Sequence, residues 1–349
     1  MTAVPKLARR LVVAPLILLV EAALVALSPL LALIAAVLSP LVGGWRALRA
    51  LAIAVDYAAR HLASTAACAG LWVASGFGRH VRSGRMQRAH YGVLRWFVGG
   101  IHRRMTRLAG VDVQTTPDSE AAERALSAKR TPVVVLSRHA GEGDSLLVLH
   151  ALLCRHDRRP RVVLHEALRL DPLIDMLGHR LPNRFVDPRG GDTEGEIAAM
   201  ASDLGDGDAL LIFPEGGNFS HSRRRRGIER LEQAGHAEEA AWAREMRHVA
   251  APRPGGALAA IEAAPGADVI FLGHVGVPAG MREAWRRLAT PGQNIEVRLW
   301  IECAEDVPTG KDAQIDWLFR WWRTIDAWVD ERQRPPGAPA AEAVRRPGG

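Results

Sequence analysis

From Leu11 to Val42 the chain is apolar, interrupted only by Glu21, Ser28, Ser39 and three prolines. One helical span of a bilayer needs roughly 20 residues and two need about 40. The run falls between the two, which predicts a kinked span or a re-entrant hairpin bending at Pro29 and Pro40. The apolar core of a secretory signal covers only about 7 to 15 residues, and that argues against a cleaved leader. Basic residues flank both ends, Lys6, Arg9 and Arg10 before and Arg46 and Arg49 after. A hairpin would keep both flanks on the cytoplasmic side. The plainer alternative is a buried core hairpin of a soluble protein.

Residues 1–50 thus form the predicted membrane segment, and residues 51–110 change pattern. There apolar stretches mix with Arg and His, as in LRWFVGGIHRRM from Leu94 to Met105, which predicts amphipathic, interfacial helices. From about Val111 short runs rich in branched residues alternate with helical stretches. The runs are Val133 to Leu136, Arg161 to His165, Ala209 to Phe213, Val269 to Gly273 and Glu296 to Cys303. Strands alternating with helices predict an α/β domain over 111–333, with a central, mostly parallel sheet flanked by helices. The Pro-, Ala- and Arg-rich segment 334–349 reads as a disordered tail, and no internal repeat is evident.

Composition narrows the class. A chain of 349 residues with 48% hydrophobic content can bury a substantial core. Its net charge of +7 suits contact with anionic lipid, nucleic acid or phosphorylated ligands. No recognised nucleic-acid motif accompanies that charge, and the apolar amino terminus fits such a role poorly. Cys68, Cys154 and Cys303 are far apart and lack a C-x-x-C spacing, so free thiols in a reducing compartment are expected. His150, His165, His248 and His274 form no pair within a Cys or acidic cluster, which leaves metal binding without support.

Candidate chemistry begins after the apolar strand Val133 to Leu136, where the chain reads SRHAGEGDSLLVLHALL from Ser137. His139 and Asp144 are five apart, and on one regular helix that offset would separate them by about 140°. Pairing therefore needs the histidine in a loop just before a helix, which Gly141 and Gly143 make easy. Asp144 then sits in the first turn, where a carboxylate is favoured and can orient an imidazole as general base. A second block, FPEGGNFS from Phe213 to Ser220, follows another strand. Strand ends are where α/β sheets place ligands. There Gly216, Gly217 and Asn218 allow close approach to an anionic group, and Glu215 could orient a hydroxyl or a basic residue.

Together, in this order, the two blocks resemble the lysophosphatidic acid acyltransferase family, also called the glycerolipid acyltransferases, in its eukaryotic-type branch. The family's H-x-x-x-x-D motif is matched by His139 and Asp144, and its F-P-E-G block by Phe213, Pro214, Glu215 and Gly216. RFVDPRGGDT from Arg184 is similar to the family's second motif, with Arg189 as the arginine that holds the acceptor's phosphate. MRHVAAPRPGGALAAI from Met246 and the tryptophan-rich IDWLFRWWRTID are similar to later stretches of that branch. The resemblance covers roughly 131–329. It implies a membrane-attached α/β acyltransferase domain facing the cytoplasm, with His139 and Asp144 catalytic and with Arg189, Glu215, Gly216, Gly217 and Asn218 binding substrate. It further implies acyl-CoA or acyl carrier protein as donor, a lysophospholipid such as 1-acylglycerol-3-phosphate as acceptor, and no metal or other cofactor.

This chain departs from the family at Gly217 and Asn218, where Thr and a phosphate-binding Arg are usual, and at Arg138, where Asn is common. A family proline at a strand end aligns loosely with Val277 and Pro278. Arg189 or the run Arg223 to Arg226 could replace the missing arginine; otherwise that run is a solvated loop. The acceptor could equally be a glycolipid or another alcohol, and the alternative from another class is a non-catalytic lipid-binding membrane protein. Trp317, Trp321 and Trp328 recur at helical spacing, which predicts core packing.

Overall fold

The computed structural model describes residues 5–41, 44–141, 143–187, 190–290 and 292–334. The apolar run forms helix α1, Lys6–Leu38, followed by α2, Arg46–Ala74, and α3, Gly84–Ala109. The α/β part continues with β1 (Val111–Thr115), α4 (Glu120–Ala128), β2 (Val133–Ser137), α5 (Asp144–His150), β3 (Arg159–His165), α6 (Pro172–Arg180) and β4 (Arg184–Val186). Then come α7 (Thr193–Ala201), β5 (Asp208–Ile212), α8 (His221–Gln233), α9 (Ala237–Glu245), α10 (Pro254–Ala263) and β6 (Asp268–Val275). The last elements are α11 (Met281–Arg287), β7 (Gln293–Glu302) and α12 (Lys311–Gln333). From residue 335 the expected tail lies outside the described residues.

The bend expected at Pro29 does not end the helix. Proline removes the N–H that would bond the Val25 carbonyl, but the Ser28 hydroxyl donates to that carbonyl at 2.7 Å, so the turn stays satisfied. The reversal comes only after Leu38, and α2 packs back along α1. His61 of α2 ties the pair to the α/β part, with Nδ1 2.7 Å from Glu21 and Nε2 3.1 Å from Asp171. Arg9 and Arg10 both reach Asp175 at 3.1 Å, and Arg49 donates to the Leu288 carbonyl at 2.8 Å. The apolar helix is thus clasped to the domain by the few polar residues it carries. By length and composition α1 could cross a membrane.

The strands form one seven-stranded sheet in the order β1-β7-β6-β2-β5-β3-β4, parallel except between β6 and β7. Its central strands are apolar on both faces because both are covered. Val134, Leu136, Leu210, Ile212, Val269 and Phe271 pack under α7, α10 and α12, while Val133, Val135, Leu211, Ile270 and Leu272 pack under α4 and α5. The expected mixed α/β class with a mostly parallel sheet is the one observed. One strand is added to the predicted set, β1, at the sheet's edge, where a half-exposed run lacks the continuous apolar signal; β4, at the other edge, falls on the hydrophobic strand that the resemblance to the family's second motif implies from Arg184. Trp317 and Trp328 are buried in the core, and Trp321 stacks on Phe271 with ring centroids 4.6 Å apart.

Candidate active site

Strands β2 and β5 are neighbours at the sheet's centre, so the loops after them meet at its carboxyl edge. His139 stands in the loop after β2, and Asp144 opens α5. Its Oδ2 lies 3.0 Å from His139 Nδ1 and also accepts the amides of Ala140 at 2.7 Å and Gly141 at 3.1 Å. Oδ1 accepts the amide of Ser145 at 2.7 Å. Asp144 is fully buried. Burial alone would push its carboxyl up, but the hydrogen bond and charge of His139, the nearby His274 and the Gly141 amide together hold it below the ordinary carboxylate value. An ionised carboxylate can only accept, so the ring proton sits on Nδ1 and Nε2 keeps a free lone pair. That is the tautomer a general base needs.

The block after β5 grips the histidine through its backbone. Glu215 Oε1 accepts the His139 N–H at 2.9 Å, and the His139 carbonyl accepts the Phe219 N–H at 2.7 Å. The Phe213 ring lies 4.4 Å from the imidazole, centroid to centroid. Glu215 Oε2 accepts the Ala250 N–H at 3.0 Å, so both carboxylate oxygens are engaged by backbone amides. Glu215, expected to face substrate, is thus turned inward and joins three loops. Complete burial pushes its carboxyl up to about 7, against the two amides and the charges of Arg138 and His139.

A third loop, 246–253, closes the far side. Asp326 of α12 accepts the amides of Arg247, His248 and Val249 at 2.6 to 3.1 Å. Arg138, buried, donates to the His248 and His274 carbonyls, so it is a structural tie. The loop ends in Arg253, whose guanidinium lies against Gly216, and that of Arg223 lies against Gly217. Gly216 and Gly217 have φ of 70° and 150°, conformations that favour glycine. Among the described residues the Gly217 and Asn218 amides have no acceptor, and Arg223, Arg230 and Arg253 have no carboxylate partner. Burial first, then the charges of Arg230 and Arg223, hold Arg253 below its ordinary value.

Of the sequence-predicted residues, His139, Asp144, Gly216, Gly217 and Asn218 converge on this edge. Arg189 lies outside the described residues. Arg223 to Arg226 belong to the first turns of α8, not to a loop. Sequence reasoning passed over Arg253, although the proline–arginine pair at 252–253 was the signal, and it passed over His274, which no local pattern links to Asp144. The loop after β6 also belongs to the site. A Cβ on Gly141 would overlap the Pro278 carbonyl oxygen, so Gly141→Ala is expected to displace the 139–144 loop and lower turnover at least tenfold, checked by initial rates beside a melting curve.

Comparison with curated proteins yields no match to this chain. A histidine base on a buried carboxylate, at the carboxyl edge of a parallel sheet and beside a glycine turn, is an arrangement suited to acyl transfer to a hydroxyl. In agreement with it, residues 117–273, which hold both the His139–Asp144 pair and the 213–218 block, match the sequence model of the Acyltransferase family.

Proposed function

We propose that the protein moves a fatty acyl chain from a thioester donor, acyl-CoA or acyl carrier protein, to a hydroxyl of a lysophospholipid at a membrane surface. His139 Nε2 takes the proton of the acceptor hydroxyl as its oxygen attacks the thioester carbonyl. The new C–O bond forms through an oxyanion intermediate, the C–S bond breaks, and the imidazolium returns the proton to the departing thiolate, which leaves as a thiol. Asp144 holds the tautomer and stabilises the imidazolium. The observation that carries the reading is the free Nε2 of a carboxylate-anchored histidine beside a turn with, among the described residues, two open amides and two guanidiniums without carboxylate partners.

Arg253 and Arg223 occupy the place in which a phosphate-binding arginine is lacking from the 213–218 block. Guanidiniums without carboxylate partners beside glycine amides suit a phosphate monoester. A cavity of about 120 Å³ lies one helical turn beyond Asp144, lined by Val135, Leu147, Val148 and Leu272 and also by Glu123, His150 and Arg155. The outward face of α1, with Leu11, Leu19, Leu33 and Val37 each between 63% and 71% exposed, suits lipid. Both proposed donors belong to the cytoplasm, and the reading accordingly has the catalytic domain facing that side.

The test is transfer of labelled acyl groups from each donor to 1-acylglycerol-3-phosphate, other lysophospholipids and phosphate-free acceptors. Arg253→Ala is expected to raise KM for the phosphorylated acceptor about tenfold, with kcat little changed. Equal use of phosphate-free acceptors, with no effect of Arg253→Ala, would favour the second reading, a glycolipid or other alcohol as acceptor, which the Gly217–Asn218 departure motivates.

A further inference from the structure

The buried carboxylate of Asp144 has a second imidazole behind it. His274, on β6 beside β2, is 0% exposed, and its Nε2 lies 3.7 Å from Asp144 Oδ2, the oxygen that also faces His139. Neither ring nitrogen of His274 makes a hydrogen bond of good geometry, although the Arg138 backbone lies close enough to act on the ring. An apolar side chain would pack at this position without stranding two polar atoms, so packing does not account for a histidine here. The carboxylate oxygen near the ring among the described residues is that of Asp144, 3.7 Å from Nε2 and so acting through its charge across space, not through a hydrogen bond, and that charge favours the tautomer with the proton on Nε2.

We infer that His274 is a positioning residue for the His139–Asp144 pair, its Nε2–H directed at the shared oxygen so that the carboxylate stays ionised and turned toward His139. The consequence for turnover rests on the acyl-transfer reading above; the contact itself does not. Burial first, and then the charge of Arg138, hold His274 down to about 4, so it is neutral while the enzyme works. Neutrality matters, because an imidazolium at this place would cancel the carboxylate's charge and oppose proton uptake by His139. A neutral N–H polarises the carboxylate without cancelling it. The other charged groups around the pair, Arg138 and Glu215, have their polar atoms engaged by backbone partners.

The sign of the effect follows. Without the His274 N–H the carboxylate becomes a stronger base, binds the His139 imidazolium more tightly, and shifts proton uptake to higher pH. The experiment uses the full chain with His274→Phe, which removes the donor, and His274→Gln, which keeps one; His274→Met is the second apolar variant should the first not fold. In His274→Phe the acidic limb of the kcat/KM profile is expected to move up by about one pH unit, and kcat to fall about tenfold with acceptor KM unchanged. His274→Gln is expected to restore both. A readout independent of activity is the low-field proton resonance of the His139 Nδ1–H bonded to Asp144, assigned by its loss in His139→Ala. It should move in the apolar variant and return in His274→Gln. If the resonance and the limb stay in place, or if Gln and Phe act alike, His274 is core packing and the inference is overturned. A wild type that transfers no acyl group from any donor sinks the functional proposal instead, and the resonance then decides for His274 alone.

Discussion

His139→Ala is expected to lower acyl transfer by roughly 10²- to 10⁴-fold, the range removed with a general base, while the chain still folds. The rate loss follows from the free Nε2, since of the two imidazoles beside Asp144 among the described residues only that of His139 is open to solvent, His274 being fully buried. Folding is spared because the neighbouring loops hold this residue by its backbone. The Glu215 and Phe219 hydrogen bonds go to its N–H and carbonyl, and alanine keeps both. Asp144 retains the amides of Ala140, Gly141 and Ser145. Steady-state rates with labelled thioester, beside circular dichroism and a melting curve, check the two halves separately. Near-normal turnover in this variant would remove His139 from the mechanism.

Glu215→Ala should act in the opposite manner, on the fold first. It strands the buried amides of His139 and Ala250, and each lost partner costs about 1–3 kcal/mol. A total of about 2–6 kcal/mol is a large part of the 5–15 kcal/mol typical of a domain. Activity falls with it, because the His139 backbone loses its clamp. Glu215→Gln separates shape from charge. The carboxyl titrates near 7 when folded and at its ordinary value of 4.5 when unfolded, so between those pH values the folded chain binds more protons. Stability from this group is therefore fully present below the unfolded value and declines as pH rises toward 7. The advantage of wild type over Glu215→Gln should shrink from pH 5 to pH 7 in paired melting curves. A constant difference would mean that Glu215 is ionised throughout that window.

Central strands were legible because apolar runs such as Val133 to Leu136 are buried on both faces, and a covered parallel sheet demands that pattern. Edge strand β1 was not: its VDVQT alternates half-buried and exposed positions over only five residues, instead of forming the continuous apolar run that marks the covered strands. Pro29 lies inside the continuous helix, where the adjacent Ser28 hydroxyl meets the Val25 carbonyl that proline leaves unbonded, and the turn after Leu38 takes in Pro40.

The sequence by itself determined the α/β class, the apolar amino-terminal helix and the His139–Asp144 pair, because each depends on residues close in the chain: strand runs, a continuous apolar stretch, and a loop of glycines before a helix. What only the tertiary structure decided are the partners brought from afar. Glu215 faces inward to join three loops, Arg253 and Arg223 flank the glycine turn, Asp326 braces the 247–249 amides, and His274 stands behind Asp144. Their separations along the chain carry no periodicity. Hydrogen-bond satisfaction in a buried, low-dielectric setting selects them, and burial exists only once the sheet and its covering helices have assembled.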